Sequence, residues 1–334
     1  MNARPWPAGE WRQHLADAVT DLCELLEMLE LDAELVGAGP TSEAARRFPV
    51  RVPRGFVARM RRGDLADPLL RQVLPVVDED REVPGFSTDP VGELAIARGD
   101  GVLAKYHGRA LLVATGACAV HCRYCFRRHF PYEDERAGGA EWSAAVAAVA
   151  ADPTVDEVIL SGGDPLLLPD RRLAELAEAL AAVPHVRRLR IHTRLPVVLP
   201  ERVDEGLVAW LGACPLPVIV VIHANHPNEI DHRVTRALGV LRGTGAVLLN
   251  QAVLLAGVND DAGALEELCR RLGDRGVLPY YLHLLDRVAG AAHFEVAEPR
   301  ALEIMSTLRA RLPGYLVPRL VREVPSAPSK IVVV

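Results

Sequence analysis

The chain has 334 residues and a formal net charge of −6, with half of its residues hydrophobic and a quarter charged. These values fit an enzyme with one large α/β domain and a smaller appendage, and they argue against a nucleic-acid partner, which would call for a basic surplus. The first residues lack a secretory pattern, no apolar run reaches the roughly 18 residues of a membrane span, and Cys23, Cys214 and Cys269 are too scattered for a disulfide framework, so a reducing cytoplasm is expected.

Residues 1–100 read as a helical, proline-punctuated region. Leu15, Val19, Leu22, Leu25, Leu26 and Leu29 recur near helical spacing and predict one amphipathic helix over 11–31. Shorter helices are expected at 44–47 and 54–62, and 83–90 is a turn-rich linker. No chemistry-bearing cluster stands out here, so the region reads as a packing layer or lid. From about residue 108, apolar runs at 110–114, 157–160, 189–192, 218–223, 246–253 and 280–284 alternate with helical stretches near 141–151, 170–182, 201–212, 229–243 and 261–273; another follows at 298–311. Continuous apolar strands between helices predict a parallel sheet buried on both faces. Six units are too few for a closed eight-stranded barrel. The expected fold is therefore an α/β, partial (β/α)6 barrel over 101–290, with the helical region before it and a C-terminal segment, 291–334, after it. A six-stranded doubly wound sheet is the alternative.

Each apolar run ends in polar residues that packing does not need, and in parallel α/β folds such ends share one face. Cys118, Cys122 and Cys125 follow the first run in a C-x3-C-x2-C spacing, and Ser161-Gly162-Gly163-Asp164 follows the second. Arg194, His223 to His226, Asn250-Gln251 and Asp286 follow the others. Three close thiolates suit either a zinc knot, closed by His121 or His129, or a [4Fe–4S] cluster whose fourth iron is open to a small molecule. No second cysteine pair exists to complete a usual zinc knot, which favours the cluster. Lysine occurs only at Lys105 and Lys330, so chemistry that needs a lysine amine has two candidates. Lys330 lies in a Pro-Ser-Ala-Pro-Ser-Lys stretch with little local freedom.

Taken together, these motifs resemble the lysine 2,3-aminomutases of the radical S-adenosylmethionine (SAM) superfamily. The likeness runs from about residue 85 to 330 and includes Thr193-Arg-Leu-Pro-Val-Val-Leu-Pro200, His226-Pro-Asn-Glu229, Gly257-Val-Asn-Asp260 and Ala292-His-Phe294. It is strongest to the short form, the elongation factor P 2,3-aminomutase, through Cys-Arg-Tyr-Cys-Phe-Arg-Arg-His-Phe-Pro131 and Pro328-Ser-Lys330. The resemblance implies that Cys118, Cys122 and Cys125 hold the cluster. SAM would sit against Ser161, Gly162, Gly163 and Asp164, with Asn250 and Gln251 nearby. Lys330 would carry pyridoxal 5′-phosphate (PLP), with Arg194 and Arg109 on its phosphate. Arg127 would hold the carboxylate of a lysine substrate, and Asp286 and Glu323 its ε-ammonium.

The short form further implies that (R)-β-lysine goes to a lysyl-ligase acting on elongation factor P, with a flavodoxin or ferredoxin as electron donor. A homo-oligomer is left open. Two departures from the long form stand out: Glu323 replaces an aspartate, and prolines and serines replace a glycine-rich approach to the lysine. The alternatives are an aminomutase for free lysine or glutamate and, remotely, a zinc-stabilised scaffold without catalysis.

Overall fold

The six apolar runs become six consecutive strands in the computed structural model, which describes residues 3–32, 43–97, 101–133 and 142–334. They are β2 (Arg109–Thr115), β3 (Glu157–Gly162), β4 (Arg188–Thr193), β5 (Val218–Ile222), β6 (Val247–Val253) and β7 (Leu278–His283). Three more strands lie outside the apolar runs: β1 (Val102–Tyr106), β8 (Arg319–Arg322) and β9 (Ile331–Val332). Their signal is weak for physical reasons. β1 gives two of its five positions to Lys105 and Tyr106, β8 has only Leu320 and Val321 between arginines, and β9 is two residues long.

The nine strands among the described residues form one sheet in chain order. Neighbours from β2 to β8 run parallel, while β1 and β9 pair antiparallel at the two edges. The order never turns back. A doubly wound sheet reverses at a switch point, so this arrangement is the singly wound, barrel-type sheet. It is left open, since β1 and β9 are not hydrogen-bonded to each other.

The interleaved helices fall where the periodicity predicts: Ser143–Ala151, Asp170–Ala181, Glu205–Ala213, His232–Gly243, Ala262–Gly273 and Glu298–Arg311. Residue 141, where the first was expected to begin, lies outside the described residues. Three of these helices start on an aspartate whose side chain accepts from a first-turn backbone N–H: Asp204 from Leu207 (2.9 Å), Asp231 from Val234 (2.8 Å) and Asp261 from Gly263 (3.0 Å). The caps fix where each of these helices begins.

Before the barrel, the expected helix over 11–31 is instead two, Trp11–Ala16 and Leu22–Met28. The break has a cause. Val19 exchanges both backbone hydrogen bonds with Val52, at 2.9 Å each, and Asp21 caps the second helix through Glu24 N–H. The helix expected over 54–62 is shorter still, Arg54–Val57, and turns follow it. These pieces pack directly on the barrel: one continuous core joins Leu25, Phe56 and Leu70 to Leu112, Leu160 and Ile191.

Ion pairs reinforce that packing over the cysteine loop. Glu79 accepts from Arg123 at 2.8 and 2.6 Å and from Arg128 at 2.7 Å, and all three side chains are buried. Removing one partner of a buried pair leaves the other uncompensated. A Glu79→Ala substitution is therefore expected to lower stability by about 3–5 kcal/mol, read as a fall in the urea midpoint of unfolding.

Candidate active site

One cavity of about 260 Å3 opens at the C-terminal rim of the strands. Its wall includes Cys118, Cys122 and Cys125, the β3 end, and Arg127, Arg194, Gln251, Asp286, Glu323 and Lys330. The residues expected to act together thus converge from across the chain.

At the cysteine end, the glycines of the β3 terminus are sterically required. Gly162 has φ +109°, and a Cβ there would lie 2.7 Å from Thr115 O; a Cβ on Gly163 would lie 2.2 Å from Ala117 O. Gly163 N–H donates to Thr115 O and Asp164 N–H to Ala117 O, at 2.6 and 2.8 Å, which presses the strand end onto the backbone just before Cys118. The Asp164 carboxylate accepts from Thr193 Oγ1 (2.7 Å) and from the backbone N–H of Arg194 (2.7 Å), Leu166 and Leu195 (3.1 Å each). Those bonds lock the turns after β3 and β4 together.

The thiols fit an iron–sulfur cluster better than a zinc knot. His121 is turned to Pro49 O at 2.7 Å and stacks on Phe48, and His129 is turned to Ala289 O at 3.1 Å. Burial, then the neighbouring Cys122, pushes Cys125 up to about 11, and burial raises Cys118 as well. Thiols so placed ionise readily only with a cation bound to them.

Arg194 belongs to this end. Its Nη1 lies 2.7 Å from Cys122 Sγ, and its Nη2 donates to Gln72 Oε1 (2.6 Å) and Glu229 Oε2 (3.1 Å). Its terminal nitrogens are therefore engaged beside Cys122. The cations that line the cavity around Lys330 include Arg109, Lys105 and Arg190. Arg190 pairs with Glu157, yet its buried Nε, like that of Arg194, has no hydrogen-bond partner among the described residues. An anionic group such as a phosphate would satisfy it.

At the far end, Glu323 gathers both lysines of the chain. It pairs with Lys330 Nζ at 2.5 Å and with Lys105 Nζ at 2.8 Å, and it accepts from Tyr106 Oη. Burial alone would raise the Glu323 carboxyl. The Lys330 ammonium and the three donors outweigh it and bring it down to about 2. Burial, then the Glu323 charge, raises the carboxyl of Asp286 to about 7. Among the described residues Asp286 has no ion-pair partner.

Arg127 lies between, buried. Its Nε and Nη2 each donate to Glu93 at 2.7 Å, and its Nη1 donates to Ser161 Oγ at 2.9 Å. Three histidines line the same cavity. Burial, then nearby positive charge, lowers His223 to about 4 and holds His192 and His283 well below the usual value. Asn250 does not line the cavity. Its amide exchanges hydrogen bonds with Ala224 N–H and C=O, at 2.9 and 3.1 Å, and stitches β6 to the end of β5.

Sequence reasoning missed Gln72, Glu79 and Glu93, placed His192 and His223 at strand ends without a role, and set Lys105 aside. Three of these come from the region read as a packing layer, where isolated acidic and amide residues form no motif. The scarcity of lysine was the signal that could have kept Lys105.

The Radical SAM superfamily profile matches residues 112–242. The chain is 50% identical over 324 residues to the L-lysine 2,3-aminomutase of Escherichia coli K12, covering 96% of this chain and 93% of that protein. It is 44% identical to the enzyme of the same name from Haemophilus influenzae, covering 96% and 94%. Against the Clostridium subterminale L-lysine 2,3-aminomutase identity is 32%, covering 96% of this chain and 77% of that protein.

Proposed function

The chain belongs to the lysine 2,3-aminomutases, isomerases of the radical SAM superfamily that use a [4Fe–4S] cluster, SAM and PLP, and on that premise we propose that it converts (S)-α-lysine to (R)-β-lysine. One observation carries the choice of substrate. Asp286, half-buried and without an ion-pair partner among the described residues, lies beside a carboxylate shared by the two lysines. When bound, the cluster with SAM supplies a 5′-deoxyadenosyl radical, and PLP supplies a π-system that spreads unpaired spin.

The protein's own residues bind and orient. Cys118, Cys122 and Cys125 hold the cluster, and the Gly162-Gly163 strand end brings backbone close to SAM. The Lys330 amine anchors the coenzyme, while Arg109, Arg190 and Lys105 offer positive charge for its phosphate. With Lys330 bonded to the coenzyme, Glu323 would keep only one of its two ammonium partners. Glu323 and Asp286 then face Lys105 alone, a local surplus of negative charge that a substrate ε-ammonium balances. A glutamate side chain would meet repulsion at the same place. At the other end, Arg127 takes the substrate carboxylate through terminal N–H donors not used by Glu93 and Ser161. The histidines stay neutral, so they add no competing positive charge near the substrate ammonium.

The likeness to the short form supports a fuller setting: β-lysine consumed by a lysyl-ligase acting on elongation factor P, a flavodoxin or ferredoxin as electron donor, and the cytoplasm as compartment. No helix among the described residues is long and apolar enough to cross a membrane.

Anaerobically reconstituted protein given SAM, PLP and a reductant should form β-lysine from (S)-α-lysine, seen by derivatisation and chromatography. Lys330→Ala should lose at least about 10³-fold in turnover while keeping its iron content; full activity in that variant would remove the PLP assignment. Adding the ligase and elongation factor P should raise the mass of elongation factor P by one lysyl unit only when the wild-type enzyme is present. The pH profile follows from Asp286. Its carboxyl is neutral below about 7 and charged above it, and the ammonium requires the charged form. Thus kcat/KM for lysine should rise as pH increases through about 7, and Asp286→Asn should flatten that limb. The cavity histidines, all lowered, contribute no titration there.

A further inference from the structure

The Arg127 guanidinium has five N–H donors. Two are held by Glu93 and one by Ser161. One donor remains on each terminal nitrogen, enough for one carboxylate. The Glu93 contact is a side-on, two-point ion pair between groups that are both nearly inaccessible, with side-chain exposures of 6% and 8%. Such a pair fixes direction as well as charge.

Glu93 is itself held in place. Asp89 accepts from the backbone N–H groups of Glu93 (2.9 Å) and Leu94 (3.0 Å). Gly92 has φ +70°, and its α-carbon side faces Pro325, where a Cβ would come within 3.3 Å. Val91 O accepts from Lys105 Nζ at 2.9 Å. A little earlier, Ser87 N–H donates to Arg287 O (2.9 Å) and Ser87 O accepts from Ala289 N–H (2.8 Å). The segment is thus tied to β1, to the loop after β7 and to the loop before Lys330.

From this geometry, and resting on the lysine-aminomutase reading above, we propose that Glu93 is a positioning residue that aims Arg127 at the substrate carboxylate. It holds the guanidinium by its Nε side and presents the terminal nitrogens to the cavity before substrate arrives.

Removing Glu93 has two opposing effects. It lifts a repulsion between two carboxylates, and it frees Arg127 to turn. The second dominates, because the guanidinium standing between the carboxylates already offsets the repulsion, whereas a misplacement of about 1 Å costs about 100-fold in rate.

The test compares lysine with lysinamide, which lacks the carboxylate. KM and kcat are measured for lysine, and Ki for lysinamide as a competitor, on reconstituted holoenzyme. In Glu93→Gln, kcat/KM for lysine should fall about 10- to 100-fold, through a raised KM and a lowered kcat, while the lysinamide Ki stays within about twofold. In an Arg127→Lys background, which lacks the fork, Glu93→Gln should cost nothing more. Glu93→Asp keeps the charge with a shorter reach and should give an intermediate fall; it decides the matter if the glutamine protein does not fold. Equal losses for lysine and lysinamide, an unchanged lysine kcat/KM, or an improved one would each overturn the assignment. Failure of the wild-type holoenzyme to make β-lysine would instead overturn the reading of function itself.

Discussion

The rest of the structure depends on one constraint: charge brought inside the mouth of the barrel must be matched there. A buried guanidinium or ammonium without a counter-charge is costly, and breaking such a pair costs more than the pair contributes. The cavity holds many cations, as the anionic ligands proposed for it, a thiolate-bound cluster, a phosphate and a carboxylate, would require. The chain answers with carboxylates from distant positions. Glu79 serves Arg123 and Arg128, Glu93 serves Arg127, Glu229 serves Arg194, and Glu323 serves both lysines. Two of these four come from before the first strand. The N-terminal region is therefore part of the charge balance of the site as well as a hydrophobic cover.

That division explains what could be read in advance. Strand and helix periodicity is local, so β2 to β7 and the helices between them were legible, as was their convergence on one rim. The cysteine loop, the Gly162-Gly163 turn and Lys330 were legible because each is unusual in type or spacing. Glu93 and Glu79 are ordinary residues whose importance comes only from whom they meet, more than 30 positions away. The break at Val19 has the same character, since its cause is a bridge to Val52. Arg194 shows the converse. Its place at the end of β4 was legible, whereas the contacts of its terminal nitrogens with Cys122, Gln72 and Glu229 come from distant positions and needed the fold.

Glu323 also takes on meaning in three dimensions. β1 and β9 are the two edges of an open sheet, and no backbone ladder joins them. Glu323 follows β8 directly, and its carboxylate reaches Lys105 and Tyr106 on β1 as well as Lys330 beside β9. Its side chain thus spans a seam as well as lining the cavity.

Both lysines of the chain line this cavity and share one carboxylate, while arginine supplies the remaining basic side chains. An aldehyde such as PLP condenses readily with amines and forms no comparable stable imine with a guanidinium. Along the chain, then, the α-amino terminus aside, there is no stray amine on the outer surface to divert it. Loading becomes a question of which of two neighbouring amines reacts, and the protein should take up the coenzyme with a simple stoichiometry even from a large excess in solution.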